Sequence, residues 1–89
     1  MAHMLVRHKV ESYTQWRPVF NEHESARKAA GCLRAQVFRS GNDPFEIFIL
    51  MEWDELEKAR QFAESQDLRE TMERAGVADQ PDIYFMHEV

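Results

Sequence analysis

The chain has 89 residues, 44% hydrophobic and 30% charged, with a formal net charge of −5. That length makes one domain, and the apolar and aromatic content is enough for a core, which excludes a disordered chain. An acidic balance without a Lys/Arg cluster speaks against nucleic acid and against an anionic membrane as partners, and the longest apolar run, "IFILM", is too short to span a bilayer.

The start of the chain shows no charged segment followed by a long apolar one, so no signal peptide is expected. "HMLVRHKV" places Met4, Val6, His8 and Val10 on one face and Leu5, Arg7 and Lys9 on the other, the alternation of a strand. Ser12, with Gln15 three residues later, reads as a capping box. A long helix follows to about Ala30, and Gly31 stops it. Pro18 near its start predicts either a short first turn or a bend at that point. Along this helix Trp16, Phe20, His23, Arg27 and Ala30 fall within roughly 80° of one another. His23 and Arg27 therefore sit inside the apolar face. Two readings stay open: a satisfied polar pair in the core, or the polar end of a pocket in which Arg27 is a fixed cation and His23 a proton donor or acceptor.

Cys32 is the single cysteine, so no internal disulfide can form, and a reducing, cytoplasmic setting is expected. Its place at a helix-to-strand junction does not favour a thiolate. "LRAQVFRS" reads as the second strand, "GNDP" as a turn and "FEIFILMEW" as the third strand, which makes an antiparallel hairpin. The third strand is apolar on both faces, with Phe45, Ile47, Ile49, Met51 and Trp53 against Phe48 and Leu50. It is therefore expected to be central and covered on both sides. Asp54 with Glu57, and Asp67 with Glu70, are read as caps of two successive helices. These carry apolar faces at Leu56, Ala59, Phe62 and Ala63, then at Leu68, Met72 and Ala75. Gly76 ends the second. "DIYFMHEV" is the last strand, with Ile83, Phe85, His87 and Val89 facing one way and Tyr84 and Met86 the other.

The order β-α-β-β-α-α-β predicts an α+β domain of the ferredoxin-like, split β-α-β kind, with a four-stranded antiparallel sheet and helices on one face. The second apolar face then calls for a second sheet, and face-to-face packing of two copies as a homodimer satisfies it. His8 and His87 both lie on buried faces by alternation. Each is near the C-terminal end of its strand, which puts them well over 10 Å apart at about 3.3 Å per residue. With no HxH or HExxH spacing, no metal site is expected. No serine sits in a nucleophile turn and no glycine-rich phosphate loop is present. Trp53 reads either as core or as an apolar wall for a ligand.

The segments "LVRHKV", "YTQWRPVFNEH", "ARKAAG", "FRSGNDP", "LMEWDELEKARQFAES", "LRETMERAGV" and "PDIYF" together resemble the dimeric α+β barrel superfamily. Within it they are similar to small stand-alone domains of the antibiotic-biosynthesis-monooxygenase kind. The resemblance covers nearly the whole chain. It implies a homodimer with a small-molecule pocket in each subunit, between sheet and helices. The haem-degrading branch of that superfamily takes its iron ligand from the later helical segment, which here contains no histidine, so no cofactor is expected. The reading that follows is a cofactor-independent, monooxygenase-like domain acting on a small aromatic, quinol or enolisable substrate. His23, Arg27 and His8 are its candidate catalytic residues, and Trp16, Phe20, Trp53 and His87 its candidate binding residues. The alternatives are an isomerase or cyclase using the same pocket, and a non-catalytic binding or stress-response dimer.

Overall fold

The computed structural model describes residues 1–89. It runs β1 (Ala2–Lys9), α1 (Tyr13–Glu22), α2 (Glu24–Ala30), β2 (Cys32–Arg39), β3 (Glu46–Trp53), α3 (Leu56–Ala63), α4 (Gln66–Arg74) and β4 (Asp82–His87). The strands form one sheet in the order β2-β3-β1-β4, with every neighbouring pair antiparallel. This is the expected α+β, split β-α-β arrangement, with β3 and β1 central. No helix is long and apolar enough to cross a membrane.

Alternation decides what each sheet face carries. Met4, Val6 and His8 of β1 register with Met51, Ile49 and Ile47 of β3, and all six are buried beneath the helices. Ile83 and Phe85 of β4 join this inner face opposite Val6 and Met4. On β2 the register shifts between Cys32 and Arg34. The extra residue, Leu33, lets Cys32 and Ala35 both face inward although they are three apart, as a bulge does. On the outer face Leu5, Phe48 and Leu50 are half-buried, while Phe38, Tyr84 and Met86 are exposed. No helix of the chain covers that face.

Two expectations about the helices are corrected. The first helix is not interrupted at Pro18, which is carried inside α1. It breaks at His23 (φ −82°, ψ 0°), which ends α1 and starts α2. The His23 N–H is shared between the carbonyls of Val19 and Phe20, both at 3.2 Å, a tightened turn that separates α1 from α2. The caps of the later helices also differ. Ser65, not Asp67, caps α4 by accepting the Leu68 N–H at 3.1 Å. Glu55, not Asp54, stands at the cap of α3 without a side-chain bond, because Asp54 is held by Lys58 at 2.9 Å. Freed from capping, the Asp67 carboxylate is available for another partner.

Gly31 stops α2 in the left-handed region, φ +116°. A Cβ there would also lie 2.8 Å from Lys58 Cδ and 2.9 Å from Asp54 Oδ1. Gly31→Ala is expected to cost about 1–3 kcal/mol from the backbone conformation alone. In a domain of this size each kcal/mol is a fall of about 4–8 °C in Tm. An unchanged melting curve would show that this turn relaxes freely.

Candidate active site

A cavity lies between the inner sheet face and the helices. Five of the seven residues singled out from the sequence line it: His8, Trp16, Phe20, His23 and Arg27. Trp53 and His87 do not. Trp53 is fully buried against Phe62, ring centroids 5.3 Å apart, and serves as core. His87 pairs with Ala2 at the opposite end of the β1–β4 ladder from His8 and is exposed. The strand β4 ends there, so no neighbouring element folds over it.

One wall is a continuous aromatic column. His8 meets Trp16 edge-on, centroids 5.9 Å apart at 72°. Trp16 stacks on Phe20 at 4.9 Å and 18°. The Arg27 guanidinium caps the other face of this column, 3.8 Å from the Phe20 ring centre. The spacing of Trp16 and Phe20 on α1 brings them into register, and each aromatic contact adds about 0.5–1.5 kcal/mol beyond its buried area. The opposite wall comes from α3 and α4, through Phe62, Leu68 and Met72.

His23 is the second titratable group. Its ring reaches across to α4, where Nε2 lies 2.6 Å from Asp67 Oδ2. A carboxylate accepts, so Nε2 carries the hydrogen, and in a neutral ring Nδ1 would be the acceptor nitrogen. Nδ1 has no hydrogen-bond partner in the chain. A carboxylate in this position directs an imidazole as the acid of a catalytic dyad or triad does, but the Asp67 side chain is 64% exposed where the acid of that template is buried. Asp67, whose spacing to Glu70 suggests a helix cap, instead pairs with His23. The nearest signal was Ser65, a competing cap two residues earlier.

His8 differs again. It is 3% exposed, and neither ring nitrogen has a hydrogen-bond partner. Burial pushes its pKa down from 6.5 to about 4, with the charges of Asp79 and Arg7 working in opposite directions as smaller effects. It is therefore a neutral imidazole at pH 7, able to donate to or accept from a guest molecule. The thiol of Cys32 is pushed up by burial, which removes it as a nucleophile.

The free volume of the cavity is about 50 Å³. A cavity that takes benzene measures about 150 Å³, so an aromatic guest must displace side chains. Met51, Met72 and Leu68 line the cavity, and the two methionines are the side chains that repack most easily.

The neutral state of His8 has a cost that depends on pH. Its folded pKa lies below its unfolded value, so the unfolded chain binds a proton first as pH falls through 6.5. Stability is then lost until about pH 4 and changes no further below it. Between pH 7 and pH 5 this one group is expected to cost about 2 kcal/mol. Denaturant titrations of wild type and His8→Leu test this. The variant should hold its stability better over that interval, and parallel losses in both proteins would contradict the assignment.

The pattern that describes antibiotic biosynthesis monooxygenases matches residues 1–74. No sequence among curated proteins matches the chain. Solved structures match it over almost its whole length. A Bordetella bronchiseptica protein assigned to antibiotic biosynthesis monooxygenases gives a TM-score of 0.82 at 16% identity, covering 99% of this chain and 96% of that one. A Caulobacter crescentus protein with the same assignment gives 0.78 at 18%, covering 99% and 89%. SnoaB from Streptomyces nogalater, a cofactor-independent oxygenase, gives 0.75 at 12%, covering 98% and 91%. At these identities the structures share a fold. The sequence pattern goes further, and by it the chain belongs to the antibiotic biosynthesis monooxygenase family.

Proposed function

We propose that this chain is a cofactor-independent oxygenase of small phenolic, quinol or otherwise enolisable molecules. The observation that carries the reading is the pair of imidazoles on one apolar cavity, His23 oriented by Asp67 and His8 without any partner. His23 Nδ1 takes the proton from the substrate, which leaves an electron-rich enolate or phenolate. Neutral His8 donates to the oxygen on which that charge develops. Arg27 sets a positive potential at the far end of the aromatic column, and the apolar walls keep water from protonating the anion. The anion then gives its electrons to dioxygen. For a ring CH₂ flanked by aromatic carbons the net change is CH₂ plus O₂ to C=O plus H₂O. The substrate is oxidised by four electrons, and dioxygen supplies the carbonyl oxygen and the oxygen of water. No external reductant enters this balance. The family membership and the likeness in fold to a cofactor-independent oxygenase support the reading.

Oxygen uptake with a panel of quinols and hydroxylated aromatics tests it. Uptake is expected with some members, and a positioned general base contributes about 10²–10⁴-fold. His23→Gln should therefore lower kcat by about a hundredfold, with Asp67→Asn moving kcat in the same direction by less. No uptake with any compound would overturn the oxygenase reading. Substrate consumption without uptake would assign the same base and cationic wall to an isomerase or cyclase.

We also infer that the uncovered outer face packs on the same face of a second copy. It carries Phe48, Leu50, Phe38, Tyr84 and Met86 in one patch, and contiguous apolar surface of that kind marks an association site. Light scattering should give twice the 10.6 kDa chain mass. Leu50→Lys should move the protein toward that single mass. A wild-type mass of one chain at micromolar concentration would remove the homodimer.

A further inference from the structure

Arg27 is 6% exposed, yet no carboxylate pairs with it. Of the five donors a guanidinium carries, one hydrogen bond is formed, from Nη1 to the Phe20 carbonyl at 2.7 Å. A buried charge is ordinarily paired, so this arrangement lacks a partner. The remaining nitrogens are not sealed in the core, since none of them is among the buried atoms that lack a hydrogen bond. They have a surface to face. Phe20 and Arg27 border the cavity on one side and, on the other, a groove between α1, α2 and the start of β2.

That groove is basic on an acidic protein. Arg17, Arg27, Lys28 and Arg34 line it, with Glu24 as its one carboxylate, and Glu24 is taken by Lys28 at 2.9 Å. Arg17 donates to Asn21 Oδ1 and to the Tyr13 hydroxyl, both neutral. It also packs on Phe20, 5.5 Å from the ring centre. Two guanidiniums thus flank one phenyl ring with no anion between them. Burial weakens the hold of Arg27 on its charge; Cys32 and Glu24 act against this, and the positive charge of Arg17 adds to it as the smallest effect. The groove on the other side of the cavity, reached past Met72 and Ile83, is mixed in charge, with Arg69 against Glu73 and Asp79. It offers an anion no such preference.

We propose that the Arg17–Arg27 groove is an anion subsite, holding a carboxylate or phosphate group on an aromatic substrate whose ring lies past Phe20 toward His8 and His23. The proposal rests on the functional reading above and specifies its substrate class. A planar fork of N–H donors suits both oxyanions. Held there, the anion fixes the depth to which the ring enters and so the atom that meets His23.

Binding measured by quenching of tryptophan fluorescence tests this, because Trp16 lines the cavity. The probes are naphthoate, naphthyl phosphate and naphthamide, which share a ring and differ in charge. One or both anions should bind about tenfold tighter than the amide, the effect of hydrogen bonds to a charged group, and their ranking tells carboxylate from phosphate. In Arg17→Gln, a half-buried site away from the core, that preference should largely disappear while the amide affinity and Tm stay unchanged. Arg27→Gln should remove it as well, and wild type in raised salt should reduce it. An amide that binds as tightly as both anions, or a preference that survives both variants, would overturn the anion subsite and leave the cavity reading standing. Failure of all three probes to bind would overturn both.

Discussion

The hydrogen bond between His23 and Asp67 is the constraint on which the rest of the site depends. At 2.6 Å it joins the point where the first helical segment breaks to the first turn of α4, two elements 44 residues apart in the chain. At the break the His23 ring meets Asp67 of α4, while Arg27 of α2 lies over Phe20. The same bond ties α1 to α4 beside the cavity and directs the His23 ring with Nε2 toward the carboxylate. It depends in turn on Ser65 taking the capping role on α4, since an Asp67 committed to the helix N-terminus could not reach across.

The sheet side of the site is built on a different principle. Alternation along β1 delivers Met4, Val6 and His8 to one layer, and the hydrophobic effect drives that whole face under the helices. His8 is carried inside with its apolar neighbours and gains no hydrogen bond in exchange. Natural interiors rarely leave such a group unsatisfied, and local violations of folding rules concentrate at functional positions. His8 and Arg27 are two such violations at the two ends of one aromatic column, and Trp53 Nε1, in the core, is a third. His8 lacks a hydrogen-bond partner and Arg27 lacks a counter-charge. Between them lie the stacked rings of Trp16 and Phe20, against which the proposed guest would pack with its polar groups toward both.

Most of this architecture was legible from the residues. Period-two alternation placed the strands and both faces of β3, and the 3.6-residue stripe placed Trp16, Phe20, His23 and Arg27 on the inner side of the first helical region. What the sequence did not show has a common cause. Pro18 drew the expected bend because proline is the strongest local breaker, but the break fell at His23, where a tertiary partner and a tightened turn decide the backbone. Asp67 matched a capping pattern that Ser65 also matched, and only packing distinguishes the two. His87 shares a face with Ile83 and Phe85 by alternation, yet strand end and sheet edge leave it exposed. Periodicity assigns a face, whereas burial on that face depends on what lies above it. The uncovered outer face was visible in the same way, as apolar residues on β3 that one layer of helices could not shelter.

The four histidines supply an internal control for the central claim that His8 and His23 share a ligand cavity while His3 and His87 do not. Long-range proton–nitrogen NMR spectra of the imidazole rings, recorded with and without a saturating hydroxylated naphthalene, read all four at once. The ring signals of His8 and His23 are expected to shift on binding, with those of His3 and His87 unmoved. Shifts confined to His3 or His87, or saturable binding that leaves His8 and His23 in place, would contradict it.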